Sequence, residues 1–185
     1  MSELVFIGDE GATEPSGPTR RWGVDVETRL QILPWLFMDY DLTYADPRFR
    51  VTGEAIPLAP TLFMNGGLTA SFTNGLSAAI RIKWLDDRPA NEDRSLQARG
   101  YWLVDLFLRY RWRNIEASVD VLNLGNTDWR ETQFLTDSCV RQEVGVDPRC
   151  PASGGGSGVS DINFVSGYGV NVRGGVTVFF DCNLS

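Results

Sequence analysis

Tyr101–Trp112, YWLVDLFLRYRW, alternates strictly between two chemistries. Trp102, Val104, Leu106, Leu108, Tyr110 and Trp112 fall on one face, Tyr101, Leu103, Asp105, Phe107, Arg109 and Arg111 on the other. Successive side chains of a strand point to opposite faces, so this is a strand with an apolar side and a charged side. A soluble sheet also alternates, but it seldom brackets its apolar face with tryptophans. Eleven or so residues is roughly the length that a tilted strand needs to cross a bilayer.

The same layout recurs along the chain. Leu76–Trp84 places Leu76, Ala78, Ile80, Ile82 and Trp84 against Ser77, Arg81 and Lys83; Leu36–Tyr44 places Leu36, Met38, Tyr40, Leu42 and Tyr44 against Asp39, Asp41 and Thr43. Leu62–Thr73 sets Leu62, Met64, Leu68, Ala70 and Phe72 against Asn65, Thr69, Ser71 and Thr73. From Trp22 the apolar set is Trp22, Val24, Val26, Leu30 and Ile32, with Thr28 as a polar intruder, against Asp25, Glu27, Arg29 and Gln31. Ile115–Val121 and Val170–Phe180 follow the pattern. Trp22, Trp84, Trp102 and Trp112 are expected to form aromatic girdles at the membrane boundaries.

Short and long connections alternate. Leu33-Pro34-Trp35, Thr73-Asn74-Gly75 and Arg113-Asn114 read as tight turns, expected on the periplasmic side. Asp46–Pro60, Asp86–Gly100 and Thr127–Tyr168 are richer in Pro, Gly, Asp and Arg and read as loops outside the cell. The expected fold is all-β: an antiparallel up-and-down transmembrane β-barrel segment of about 7–8 strands, a partial barrel. Mean hydropathy is −0.16, because only alternate residues face lipid.

The net charge of −7 argues against a nucleic-acid partner, which needs a basic surface. Cys139 and Cys150, flanked by Pro148, Pro151 and a Gly/Ser run, are expected to close a small exposed loop as a disulfide, leaving Cys182 unpaired. The chain has no histidine, so neither a zinc pattern nor a histidine base for a nucleophile is present. Gly154–Gly158 lacks the Lys-Ser/Thr of a phosphate loop. Asp39/Asp41 and Asp86/Asp87 read as lumen-facing and loop carboxylates rather than an acid–base pair. No enzymatic activity, cofactor or metal is expected.

In order and spacing, several segments resemble TonB-dependent outer-membrane receptors of Gram-negative bacteria. They are Arg21-Trp22-Gly23-Val24-Asp25-Val26-Glu27, Leu33-Pro34-Trp35-Leu36, Ile56-Pro57-Leu58-Ala59-Pro60, Gly100-Tyr101-Trp102-Leu103-Val104-Asp105, Val121-Leu122-Asn123-Leu124-Gly125-Asn126-Thr127, and Val172-Arg173-Gly174-Gly175-Val176 before Phe179-Phe180. The resemblance implies that residues 1–185 are the C-terminal part of such a β-barrel, the plug domain, TonB box and signal peptide lying outside this chain. It departs from the family where Asp181–Ser185 follow Phe180, since family barrels usually end on an aromatic residue.

The function that the resemblance implies is uptake of a scarce, bulky nutrient such as a ferric siderophore, energised through TonB, by a receptor in the outer membrane and in contact with its lipid. Ligand-facing residues would lie in Asp86–Gly100 and Thr127–Tyr168 and among the inward cations Arg81, Lys83, Arg109 and Arg111. Pairing of those cations with Asp39, Asp41, Asp105 and Glu116 across the wall is the competing expectation. A standalone eight-stranded barrel with a structural or adhesion role would need its first strand to pair with its last. A soluble β-sandwich would bury the apolar faces against each other.

Overall fold

A computed structural model describes residues 2–7 and 12–180; Cys182 and the tail after Phe180 lie outside the described residues. The described residues form twelve strands: β1 (Ser2–Ile7), β2 (Ala12–Leu33), β3 (Leu36–Phe49), β4 (Leu62–Ser71), β5 (Leu76–Leu85), β6 (Arg88–Pro89), β7 (Gln97–Ala98), β8 (Tyr101–Trp112), β9 (Ile115–Leu122), β10 (Arg130–Ser138), β11 (Val159–Ser166) and β12 (Asn171–Val178). Eight join one antiparallel sheet in the order β1-β2-β3-β4-β5-β8-β9-β12, while β10–β11 and β6–β7 form separate two-stranded ribbons. No helix among the described residues is long and apolar enough to cross a membrane, which has no bearing on strands.

Register carries the face pattern through the whole wall. Leu30 pairs with Met38, Met38 with Leu68, Leu68 with Ile80, Ile80 with Leu106, Leu106 with Val121, and Val121 with Val172. An apolar row therefore crosses seven strands without a slip. A shift of one residue anywhere would have turned the apolar set of that strand inward. Tight turns fix the register at one end. Leu33 and Leu36 flank Pro34-Trp35, Arg113-Asn114 joins β8 to β9 with Arg113 at a φ of +55°, and Gly75 adopts +86° beside Asn74, whose Oδ1 accepts the Leu76 N–H at 3.1 Å. A Cβ on Gly75 would meet the Arg111 carbonyl oxygen at 2.2 Å, so only glycine fits there.

The aromatic residues collect at two heights. Trp84 lies directly opposite Trp102, and Trp22 packs edge-on against Tyr44 at 5.8 Å, all toward the long-loop end. At the other end, Trp112 pairs with Ile115 and Trp35 stacks on Phe72 at 5.2 Å. Trp102 and Trp112 are 52% and 57% exposed in the isolated chain, facing where lipid would be. Ten residues at about 3.3 Å span roughly 33 Å along the strand. A tilt near 45° brings that to about 23 Å, close to the apolar band of an outer-membrane barrel.

Three expectations on strand boundaries are corrected. β3 continues to Phe49, four residues into the segment read as a loop, because Thr19–Trp22 of β2 pair with Asp46–Phe49 and lift both strands beyond the wall. β2 begins at Ala12 rather than Trp22, and its first part pairs with β1 despite Pro15 and Pro18. The long segment after Asn126 contains the β10–β11 hairpin, and the segment after Leu85 the short β6–β7 ribbon. Since β1 reaches only the outer part of β2, Thr19–Leu33 has β3 as its sole strand neighbour among the described residues, and β12 has only β9. The wall is an open arc of seven strands.

Candidate functional site

The inner face of the wall alternates charges. Along one inner row Arg29 lies opposite Asp39, Asp39 opposite Gly67, Gly67 opposite Arg81, and Arg81 opposite Asp105. Arg81 reaches across Gly67 to form an ion pair with Asp39. A Cβ on Gly67 would stand 2.8 Å from Arg81 Cδ, so the missing side chain is the channel through which the guanidinium crosses a strand. Lys83 Nζ lies 3.9 Å from Asp105 Oδ2, and Arg109 Nη2 4.0 Å from Asp120 Oδ1. Arg111 lies opposite Glu116 in register, and its guanidinium covers the Phe179 ring at 4.2 Å. All four cations thus stand on the face opposite the apolar rows, with Asp39 and Asp105 among their partners. Asp120, a residue that the alternation alone did not single out, supplies the carboxylate at ion-pair distance from Arg109.

Most of the buried residues gather toward the long-loop end, where Leu103 and Asp105 of β8 meet the loops; Gly66 is buried within β4. Ala55, Ile56, Arg88, Ala90, Ala98, Leu103, Asp105, Asn123, Trp129, Gln133 and Cys150 are buried. Asn123 sits where β9 ends, in a left-handed conformation (φ +52°) that asparagine tolerates better than most residues. Its backbone N–H donates to Asp105 Oδ1 (2.9 Å), its amide nitrogen to the carbonyls of Thr127 (2.9 Å) and Tyr168 (3.0 Å), and its amide oxygen accepts the Thr127 N–H (2.8 Å). One side chain thereby closes the turn after β9 and ties it to the approach to β12. Trp129 Nε1 donates to the same Tyr168 carbonyl at 3.0 Å. Its ring lies between Tyr101 (5.0 Å) and Tyr168 (5.2 Å).

The outer loops are bonded into one crown. Gln133 of β10 donates to the Arg99 carbonyl at 2.7 Å and accepts the Arg99 N–H at 2.9 Å, imitating a backbone pair. Residues 50–61 are joined to residues 86–100 by Ala55 N–H to Glu92 O (3.1 Å) and Leu58 N–H to Pro89 O (2.7 Å). Where these two loops meet, burial and the neighbouring Glu54 carboxyl hold the Glu92 carboxyl above its usual range. At the far tip, Cys139 and Cys150 form a disulfide with their Cα atoms 5.6 Å apart. Beside it the Arg149 guanidinium and backbone N–H bring the Asp147 carboxyl down to about 2. No group of three or more His, Cys, Asp or Glu side chains that could hold a metal occurs among the described residues.

Sequence reasoning located the loops but missed Asn123, Trp129, Gln133 and Arg88 as their buried framework. For Asn123 a signal existed in the Leu122–Thr127 stretch, where two asparagines flank a glycine at a strand end.

A sheet whose apolar rows face outward, with ordered long loops at one end, is also what comparison with known proteins returns. The family model described as TonB dependent receptor-like, beta-barrel matches residues 7–124, well over half of the chain. This chain belongs to the TonB-dependent receptor β-barrel family. No curated protein matches it in sequence. Among solved structures, the ferric yersiniabactin uptake receptor FyuA from Yersinia pestis is similar over 90% of this chain and 25% of its own, with 17% identity and a TM-score of 0.62. The siderophore receptor PiuA from Acinetobacter baumannii is similar over 96% of this chain and 24% of its own, with 11% identity and a TM-score of 0.65. The copper transporter OprC is similar over 91% and 25%, with 20% identity and a TM-score of 0.63. The chain thus spans about a quarter of the length of these receptors. At such identities the likeness establishes the fold of a TonB-dependent receptor barrel wall and not its cargo.

Proposed function

We propose that this chain is the C-terminal part of the barrel of an outer-membrane receptor that takes up a scarce, bulky nutrient such as a ferric siderophore in a Gram-negative bacterium. The observation that carries the reading is the joint polarity of the wall. One face presents unbroken apolar rows between two aromatic belts, the other a charge-paired lining, and the ordered long loops gather at a single end. Lipid, lumen and outer vestibule each receive a surface of matching chemistry. FyuA and PiuA, whose barrels this wall resembles, are named as receptors for ferric yersiniabactin and for siderophores, which supports an iron chelate as cargo. Large outer-membrane transporter barrels are plugged, so coupling to TonB and movement of the plug belong to segments outside this chain, as does contact with TonB itself.

In this reading Arg81, Lys83, Arg109 and Arg111 line the lumen, and the 86–100 and 127–168 segments face the ligand. The family is one of transport receptors, and the work of this chain is to form a wall and a vestibule, without catalysis. The test is accumulation of radioactive iron by cells lacking their own chelate receptors and carrying the full gene that encodes this chain. Accumulation that depends on a ferric chelate and disappears without TonB is expected. A folded, surface-exposed receptor that takes up no ferric chelate would overturn the assignment of cargo.

A further inference from the structure

We propose that Arg88, at the root of the 86–100 loop, is an anion-recognition residue whose guanidinium receives an oxyanion of the ligand entering the vestibule. That this oxyanion belongs to the transported cargo rests on the function proposed above; that Arg88 binds an oxyanion does not.

Arg88 is 9% exposed, and its Nη1 is sealed from solvent without an acceptor. Among the described residues the guanidinium forms neither an ion pair nor a hydrogen bond. Arginine presents five N–H donors and keeps its charge in proteins. An unpaired buried cation costs far more than an unpaired amide, so native structures keep such a group only with a counter-charge or a function. Burial pushes the Arg88 guanidinium down from its ordinary range, and the Tyr101 phenol is the one ionisable group opposing that effect. The loop carboxylates do not serve it. The Glu92 carboxyl is raised, with Glu54 beside it, whereas a neighbouring guanidinium would have lowered it.

The surroundings define what fits. Arg88 pairs with Ala98 across the β6–β7 ribbon. Tyr101 begins a run of three rings through Trp129 to Tyr168, with centroids 5.0 and 5.2 Å apart. A buried cation with a planar donor fork, with the Tyr101 phenol as its ionisable neighbour, suits a planar oxyanion such as a carboxylate, held by two parallel hydrogen bonds. Nη1 is closed off from solvent, so the oxyanion engages it as the 86–100 segment parts from the 50–61 segment bonded to it. The Ala55–Glu92 and Leu58–Pro89 hydrogen bonds are what the parting breaks.

The experiment uses the full receptor purified in detergent, with citrate as the oxyanion probe at constant ionic strength. Wild type, Arg88→Met and Arg88→Lys are compared by melting temperature. The wild type is expected to melt higher in millimolar citrate. Arg88→Met should melt at or above wild type without citrate, having lost a buried unpaired charge, and show no citrate response. Arg88→Lys, keeping charge but losing the fork, should need at least ten times more citrate for the same shift. No citrate effect on the wild type overturns the proposal, as does an undiminished response in either variant. Should Arg88→Met fail to fold, the Arg88→Lys titration alone decides. Iron accumulation separates the two ideas. Citrate stabilisation through Arg88 without uptake of any ferric chelate removes the receptor cargo and leaves the anion site. Equal uptake by wild type and Arg88→Met overturns the assignment of the cargo to Arg88 and leaves the receptor.

Discussion

Replacing Asn123 by alanine tests whether the crown hangs on one side chain. Thr127 would lose both a donor to its carbonyl and the acceptor of its N–H, while the Tyr168 carbonyl keeps the Trp129 indole. Two orphaned backbone groups in a half-buried place cost about 1–3 kcal/mol each, or about 3 kcal/mol together after partial rehydration. Alanine at a φ of +52° adds about 1 kcal/mol of backbone strain. The expected loss is therefore about 4 kcal/mol for Asn123→Ala and about 3 kcal/mol for Asn123→Gly, which loses the same bonds without the strain. Asn123→Asp keeps the acceptor for the Thr127 N–H, but loses both amide donations and places a second carboxylate beside Asp105. Urea unfolding of the full receptor in micelles, followed by tryptophan fluorescence, measures all three. A loss below 1 kcal/mol for Asn123→Ala, or a glycine variant less stable than the alanine one, would refute the reasoning.

Gly67→Val should break the Arg81–Asp39 pair by filling the crossing over the strand, at a cost of about 1–3 kcal/mol, and the same urea titration reads it. Reduction of the Cys139–Cys150 bond, which closes a loop with a sequence separation of 11 residues, removes about 3 kcal/mol of constraint; amide exchange should rise at the hairpin tip and stay unchanged in the wall. The Glu92 carboxyl is raised in the folded state, so its contribution is fully present below the unfolded value near 4.5 and is lost as pH rises through the folded one. Glu92→Gln should accordingly slow proteolysis of the 86–100 loop at neutral pH and not in mild acid. For Asp147 the sign is opposite: its contribution is present above the unfolded value near 3.8 and is lost as pH falls through about 2. A carboxyl carbon NMR titration that placed its midpoint near 4 would remove the Arg149 contact from the account.

The wall was legible because its information is local. A period of two assigns each residue to a face, and tight turns such as Asn74-Gly75 carry that assignment from strand to strand, so the outward rows could be read from the sequence to β12. The crown was not legible for the converse reason. Gln133 is buried because it bonds to Arg99, 34 residues earlier, and no periodicity within Arg130–Ser138 announces it; Phe134 and Leu135 stand side by side and blur the alternation. Arg109 finds Asp120 through the β8–β9 register, which brings Phe107 opposite Asp120 and leaves the two charges on neighbouring inner positions. The outer extension of β2 and β3 was hidden by Pro15, Pro18 and Pro47, residues that usually mark the end of a strand.

The separation of a wall held by backbone ladders from a crown held by buried side chains divides the chain into two regimes of substitution. An outward residue such as Leu68 or Ile80 is exposed on the apolar face, so one apolar side chain exchanges for another there with little loss. Asn123, Gln133 and Trp129 each satisfy several specific partners, and a change in one requires changes in the others. New surface chemistry is therefore accommodated most readily at exposed crown positions on that fixed frame, such as the hairpin tip beyond Ser138, where exchange disturbs neither the apolar rows nor the buried bonds beneath.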